Sequence, residues 1–224
     1  MQTRIRAVFL EVVIRPLVWL LAAPRVESQV EAVPAAKVLI VSNHITAYDA
    51  ALILYALPPA IRRSVAVAMG GELLLDLRKG RNMGNWFVNL VAPAGYWLIT
   101  ALFNVFPLPQ RTGFRRAFEH AGRAMDAGFH VLVFPEGRRT PDRDMHEFQT
   151  GAGLLWKDLG CPALPVYLEG VADLKASGAR WFHSGNITVR VGRLLDRPSP
   201  DLDPREVSEK LQQAVSEIRR GHKR

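Results

Sequence analysis

His44 and Asp49 lie five residues apart in Asn43-His44-Ile45-Thr46-Ala47-Tyr48-Asp49. Imidazole is the side chain best suited to proton transfer near neutrality, and a carboxylate that holds one ring nitrogen leaves the other free as a base. On one continuous helix this spacing puts the pair about 140° apart, too far round to meet. If His44 sits instead in a strand-to-helix turn, its ring can fold back onto the first helical turn and reach Asp49. The positive helix end favours neutral imidazole, while the carboxylate favours the charged form. Plainer roles fit the same residues. Thr46-Ala47-Tyr48-Asp49 reads as a capping box in which Asp49 satisfies backbone N–H groups, and His44 can be a hydrogen-bonded loop histidine.

A second constellation, Phe134-Pro135-Glu136-Gly137-Arg138-Arg139-Thr140, directly follows an apolar run. Its polar residues therefore emerge at the end of a buried strand. Glycine at 137 permits close backbone approach to a ligand, and arginine, at 138 and 139, offers a forked donor suited to phosphate. Arg111 adds another cation of that kind beside an uncharged segment. A surface turn with solvated arginines is the alternative.

The elements that must position these residues alternate in type. Val38-Leu39-Ile40-Val41 and Val131-Leu132-Val133-Phe134 are short apolar runs of the kind that form buried strands. Residues 64–68 and 163–168 read as further strands. Residues 49–57, ended by Pro58-Pro59, then 113–127, ended by Gly128, and 151–159 read as helices. Ile187, Val189 and Val191 alternate with Thr188 and Arg190, which predicts a half-exposed strand near the sheet edge. Val207, Leu211, Val215 and Ile218 mark one face of a C-terminal amphipathic helix. The expected fold is α/β, with a mostly parallel central sheet flanked by helices. In such sheets the sites gather where strand ends meet loops.

A chain of 224 residues suits one domain with a small appendage. The division expected is an N-terminal helix within 1–30 and one domain over 31–224. A net charge of +8 favours anionic partners. Nucleic acid is the weaker choice among them, because no nucleic-acid motif is visible. The single cysteine, Cys161, excludes an internal disulfide and a Cys-based zinc site. Residues 1–23 resemble a signal peptide, but Glu11 and Arg15 interrupt the apolar core. With Arg4, Arg6 and Arg15 flanking Val8, Phe9, Leu10, Val12 and Val13, they read as an amphipathic helix. It lies either at an anionic membrane surface or on the protein's own core. Residues 82–110 carry no charged side chain. Pro93 and Gly95 predict a break there into two shorter helices, which could dip into one leaflet, line an apolar tunnel or be buried in the core.

Together the motifs resemble the glycerolipid acyltransferase family, typified by 1-acylglycerol-3-phosphate (lysophosphatidate) acyltransferases. Asn43, His44 and Asp49 match its Asn-His-four residues-Asp motif. Phe134, Pro135, Glu136, Gly137 and Arg139 match Phe-Pro-Glu-Gly-Thr-Arg-Ser, with Arg138 and Thr140 in place of Thr and Ser. About 90 residues separate the two motifs. Val105-Phe106-Pro107-Leu108-Pro109-Gln110-Arg111 is similar to a motif that ends in arginine, and Ala163-Leu164-Pro165-Val166-Tyr167 to a strand that contains proline. The resemblance runs over about residues 38–168.

It implies acyl transfer from acyl-CoA or an acyl-carrier protein to the hydroxyl of a lysophospholipid, 1-acylglycerol-3-phosphate, in phospholipid synthesis. No metal and no cofactor beyond the thioester co-substrate are implied. By that analogy His44, aligned by Asp49, takes the hydroxyl proton. Arg111 and Arg139 bind the acceptor phosphate, and Glu136 and Gly137 lie near the acceptor, Glu136 to bind it or to position. The uncharged segment becomes an acyl tunnel or membrane dock. The enzyme would sit on the cytoplasmic face of a membrane, peripheral or monotopic. One departure bears on the acceptor: many family members have Phe-Lys-x-Gly where this chain has Phe148-Gln149-Thr150-Gly151. A different hydroxyl or amine acceptor is an alternative, as is a non-catalytic lipid-binding membrane module. Retention of His44, Asp49, Glu136 and Gly137 argues against the latter. A serine hydrolase lacks support, since Gly-x-Ser-x-Gly is absent.

Overall fold

The computed structural model describes residues 2–31, 33–81, 86–108, 114–139, 145–176 and 186–220. Seven strands form one sheet: β1 (Arg25–Ser28), β2 (Leu39–Ser42), β3 (Val65–Gly70), β4 (Val105–Leu108), β5 (His130–Val133), β6 (Ala163–Glu169) and β7 (Thr188–Val191). Their order is β1-β7-β6-β2-β5-β3-β4, and every pairing is parallel except β6 with β7. Residues of β2 and β5 are buried throughout. That is why they read as continuous apolar runs: helices cover both faces of the sheet.

Alternate residues of β2 enter two separate cores. Val38 and Ile40 pack with Leu52, Ile53 and Leu54 of α3 (Asp49–Ala56) and with Ile61 of the short helix α4 (Pro59–Arg62). Leu39 and Val41 face the other way. They pack with Leu155 and Trp156 of α8 (Thr150–Leu159) and with Val207, Leu211 and Val215 of α10 (Pro204–Arg220). Burying each large aliphatic side chain contributes about 1.5–3 kcal/mol. The chain therefore leaves β2 toward one face and the neighbouring strand β5 toward the opposite face. A crevice between adjacent strands whose connections diverge is where an open α/β sheet places a ligand.

The N-terminal segment is helical over residues 2–22: α1 (Gln2–Phe9), a π-helical turn over Leu10–Ile14, and α2 (Arg15–Ala22). Leu10, Val18 and Ala22 pack into the first core, whereas Val8, Val12, Val13, Leu17, Trp19 and Leu20 face outward. Two charges behave differently from a surface-lying helix. Arg6 is buried, donates to the carbonyls of Val65 and Phe103, and has its pKa lowered by burial to about 10. Glu11 receives Arg62 at 2.8 and 3.0 Å, so the acid that interrupts the apolar run fastens the helix to α4. Residues 25–28, assigned by composition to the N-terminal segment, form the edge strand β1.

Two further expectations change. β7 lies near the sheet edge as expected, second strand in between β1 and β6, but it is mostly buried rather than half-exposed. Its Arg190 is buried because Glu27 of β1, at 2.7 Å, and Glu169 of β6 meet its charge. Pro93 and Gly95 do not divide the uncharged segment, since Trp86–Phe103 is one helix, α6, with Pro93 inside it. Pro93 cannot donate to the Asn89 carbonyl. Instead Gly80, at φ +60° after α5 (Gly71–Lys79), packs so tightly on that carbonyl that a side-chain carbon would collide with it. Nor is α6 a buried core helix: Ala92 is buried, but Trp86, Leu90, Val91 and Trp97 are exposed. No helix among the described residues is long and apolar enough to cross a membrane. The remaining helices, α7 (Phe114–Asp126) and α9 (Val171–Ala176), complete the layers.

Candidate active site

β2 ends at Ser42, and the next two residues set the site. Asn43 is held by its own side chain, which donates to the Leu168 carbonyl at 3.0 Å and accepts the Leu168 N–H at 2.8 Å. This two-way bond ties the end of β2 to β6 and turns the chain so that His44 leaves the sheet. His44 Nδ1 lies 2.9 Å from Asp49 Oδ2. The same oxygen accepts the N–H groups of Ile45 at 2.5 Å and Thr46 at 2.9 Å, while the Thr46 hydroxyl donates to Oδ1 at 2.6 Å.

Orientation of the His44 ring and helix capping, alternatives on spacing alone, are thus served by one arrangement. Asp49 is fully buried at the first turn of α3 and gathers the turn around itself. A carboxylate so placed accepts the Nδ1 proton, which leaves the Nε2 lone pair as the basic position. Nε2 meets no hydrogen-bond partner among the described residues. The ring is stacked on Phe134 at 4.1 Å between centroids and 19° between planes, so it is held on its face as well as at its edge.

The loop after β5 supplies the other wall. Glu136 is buried beneath it, with Oε1 accepting the backbone N–H of His44 at 2.8 Å and Oε2 that of His146 at 3.0 Å. Both carboxylate oxygens of Glu136 thus accept from backbone N–H groups of the two site loops. Gly137 closes a turn onto the Phe134 carbonyl at 3.1 Å with φ +69°, a conformation that costs a residue with a side chain about 1–2 kcal/mol. Arg138 and Arg139 follow, both exposed. Arg138 donates to His146 Nδ1 at 3.3 Å, and Arg139 makes no ion pair among the described residues. Arg111 lies outside the described residues. Among those described, no three His, Cys, Asp or Glu side chains gather to hold a metal ion.

The structure therefore brings His44, Asp49, Glu136, Gly137 and Arg139 to the ends of two neighbouring strands. Sequence reasoning gave no role to Asn43, Phe134 or His146, and Thr46 only that of opening a capping box. Asn43, Thr46 and Phe134 stand inside the quoted motifs. His146 carries only the weaker signal of a histidine in the polar connection before α8.

Residues 25–169 match the protein family described as Acyltransferase, well over half of the chain. The chain belongs to the acyltransferase family. The matched span of this acyltransferase runs from β1 through β6 and contains both site loops. The fold also resembles a crystal structure, that of the 1-acyl-sn-glycerophosphate (LPA) acyltransferase PlsC from Thermotoga maritima. The TM-score is 0.61 and the identity 24%, covering 96% of this chain and 79% of that one. No curated protein matches the acyltransferase by sequence.

Proposed function

We propose that this enzyme moves a fatty acyl group from acyl-CoA or acyl-carrier protein to the hydroxyl of 1-acylglycerol-3-phosphate, with His44 as general base. The observation that carries the reading is the 2.9 Å bond between His44 Nδ1 and Asp49 Oδ2, with Nε2 left unpartnered among the described residues. Nε2 takes the hydroxyl proton as the oxygen attacks the thioester carbonyl. The C–O bond forms, the C–S bond breaks, and the proton passes to the departing thiolate. Asp49 keeps the ring in the required tautomer and stabilises the imidazolium. Arg139 and Arg111 bind the acceptor phosphate, and Gly137 gives it room beside the loop.

The membrane supplies the acceptor. Supporting a peripheral or monotopic seat on the cytoplasmic face are the net charge of +8 and two outward apolar faces. One comprises Val8, Val12, Val13, Leu17, Trp19 and Leu20, and the other Trp86, Leu90, Val91 and Trp97 on α6, which touches α1. Apolar surface of this kind, flanked by basic residues, suits an anionic interface.

The test is thiol release by purified protein in detergent with acyl-CoA, or acyl-carrier protein thioester, and lysophosphatidate. The native protein is expected to release thiol and His44→Ala to release none. Silence from the native protein, or equal release by both, sinks the reading.

A further inference from the structure

Thr46 stands in the turn between His44 and α3, and its hydroxyl does more than a helix cap requires. In a capping box the first residue's side-chain oxygen accepts the backbone N–H three positions on. The acid at that later position reaches back to the first N–H. Among the described residues only the second half is made, with Asp49 Oδ2 accepting the Thr46 N–H at 2.9 Å. The Thr46 oxygen accepts the Tyr48 N–H instead, at 3.2 Å, and gives its own proton to Asp49 Oδ1 at 2.6 Å. That length is typical of a hydroxyl on a carboxylate, a bond about twice as strong as one between neutral groups.

The two oxygens of Asp49 therefore have separate partners. Oδ2 meets His44 Nδ1 at 2.9 Å and the N–H groups of Ile45 and Thr46, while Oδ1 meets the Thr46 hydroxyl. The terminal torsion of an aspartate is soft, so bonds to one oxygen leave the carboxylate plane free to turn. A donor on the other oxygen fixes it. Asp49 is fully buried, so solvent does not take the place of that donor.

We infer that Thr46 is a positioning residue. Its hydroxyl locks the Asp49 carboxylate so that His44 keeps its proton on Nδ1 and its lone pair on Nε2. The inference rests on the reaction proposed above, in which Nε2 is the base, and adds a third member to the pair.

Thr46→Val keeps the shape and removes the donor, whereas Thr46→Ser keeps the donor. With acyl-CoA and lysophosphatidate, the kcat of Thr46→Val is expected to fall about tenfold, the effect of one charge-assisted bond. Both KM values stay within about twofold, and Thr46→Ser holds kcat within about threefold of native. Thr46→Ala, a second variant without the hydroxyl, should match Thr46→Val. Native turnover in either, or an equal loss in Thr46→Ser, overturns the inference. Nitrogen-15 NMR of histidine-labelled protein in mildly alkaline buffer, with His44→Ala to assign the signal, reads the tautomer without substrate. The native ring should carry its proton on Nδ1, and Thr46→Val should show a mixture of the two tautomers. If the native protein releases no thiol, the proposed reaction fails. A tautomer that changes in Thr46→Val and returns in Thr46→Ser still upholds the role of Thr46. The same tautomer in the native protein and Thr46→Val overturns it.

Discussion

Glu136 Oε1 accepts the backbone N–H of His44 at 2.8 Å, across the ends of two adjacent parallel strands. The bond fixes where the histidine starts, while Asp49 and Phe134 fix where its ring points. Glu136→Gln keeps the size but turns one acceptor oxygen into a donor. Either His44 or His146 then presents its N–H to another N–H. An unmet buried donor costs about 1–3 kcal/mol, so kcat for thiol release is expected to fall about 10- to 100-fold. The KM for acyl-CoA should move far less. Turnover by Glu136→Gln at the native rate would remove Glu136 from the positioning of His44.

The proposed mechanism gives Asp49 two duties, holding the turn and steadying the imidazolium, that substitutions can separate. Asn keeps one oxygen that can accept from Ile45 and Thr46, but it loses the charge that steadies the imidazolium. The kcat of Asp49→Asn is expected to fall about 10,000-fold, by analogy with the carboxylate of a serine-protease triad. Asp49→Ala also unties the turn and should lose about 1–2 kcal/mol of stability that Asn spares. Denaturant unfolding beside kinetics reads the two duties independently. If Asp49→Asn keeps more than about a tenth of the native kcat, the carboxylate serves as a cap alone.

The strands next to the site were legible because both their faces are buried, which makes β2 and β5 uninterrupted apolar words. The same logic misled at β7. Arg190 looks like a solvent residue until Glu27 and Glu169 are seen beside it, and those partners are 163 and 21 residues away in sequence. β1 was missed because Arg25, Val26, Glu27 and Ser28 have no apolar period, its place being set by pairing with β7. Pro93 was read by its local cost, whereas the neighbours of α6 keep that helix whole. In the site, residue types were legible and connections were not. That one oxygen of Asp49 serves His44 and two backbone N–H groups, and that Glu136 reaches back 92 residues to His44, are facts of folding.

The outward faces of the N-terminal helix and α6 predict a separation of binding from folding. Trp19 and Leu20 are more than 60% exposed, so Trp19→Glu with Leu20→Glu removes no packing from the core. The unfolding temperature should stay within about 2 °C of native, as surface changes usually do. Flotation with liposomes containing phosphatidylglycerol should be lost, since each apolar side chain withdrawn from the interface forfeits about 1.5–3 kcal/mol. Raising salt should weaken the native protein's attachment by screening its basic surface. Native protein that stays at the bottom of the gradient at low salt would defeat the docking assignment.

His130 predicts a pH dependence unrelated to catalysis. It is buried at the start of β5, where Nδ1 accepts the Val38 N–H at 3.2 Å. Burial, and then the charge of Lys37, lower its pKa to about 4. In the unfolded chain the same ring titrates near 6.5. The folded state therefore binds fewer protons between these values, and stability must rise with pH across the window. The contribution is complete above pH 6.5 and is lost as pH falls toward 4. One pKa unit is about 1.4 kcal/mol, and discounting for solvent near the ring leaves a loss of about 2 kcal/mol. The urea midpoint of the native protein should thus drop from pH 7 to pH 4.5. His130→Asn keeps an acceptor for the Val38 N–H and cannot titrate, so its midpoint should fall less steeply. Parallel curves for the two proteins would place the acid sensitivity elsewhere.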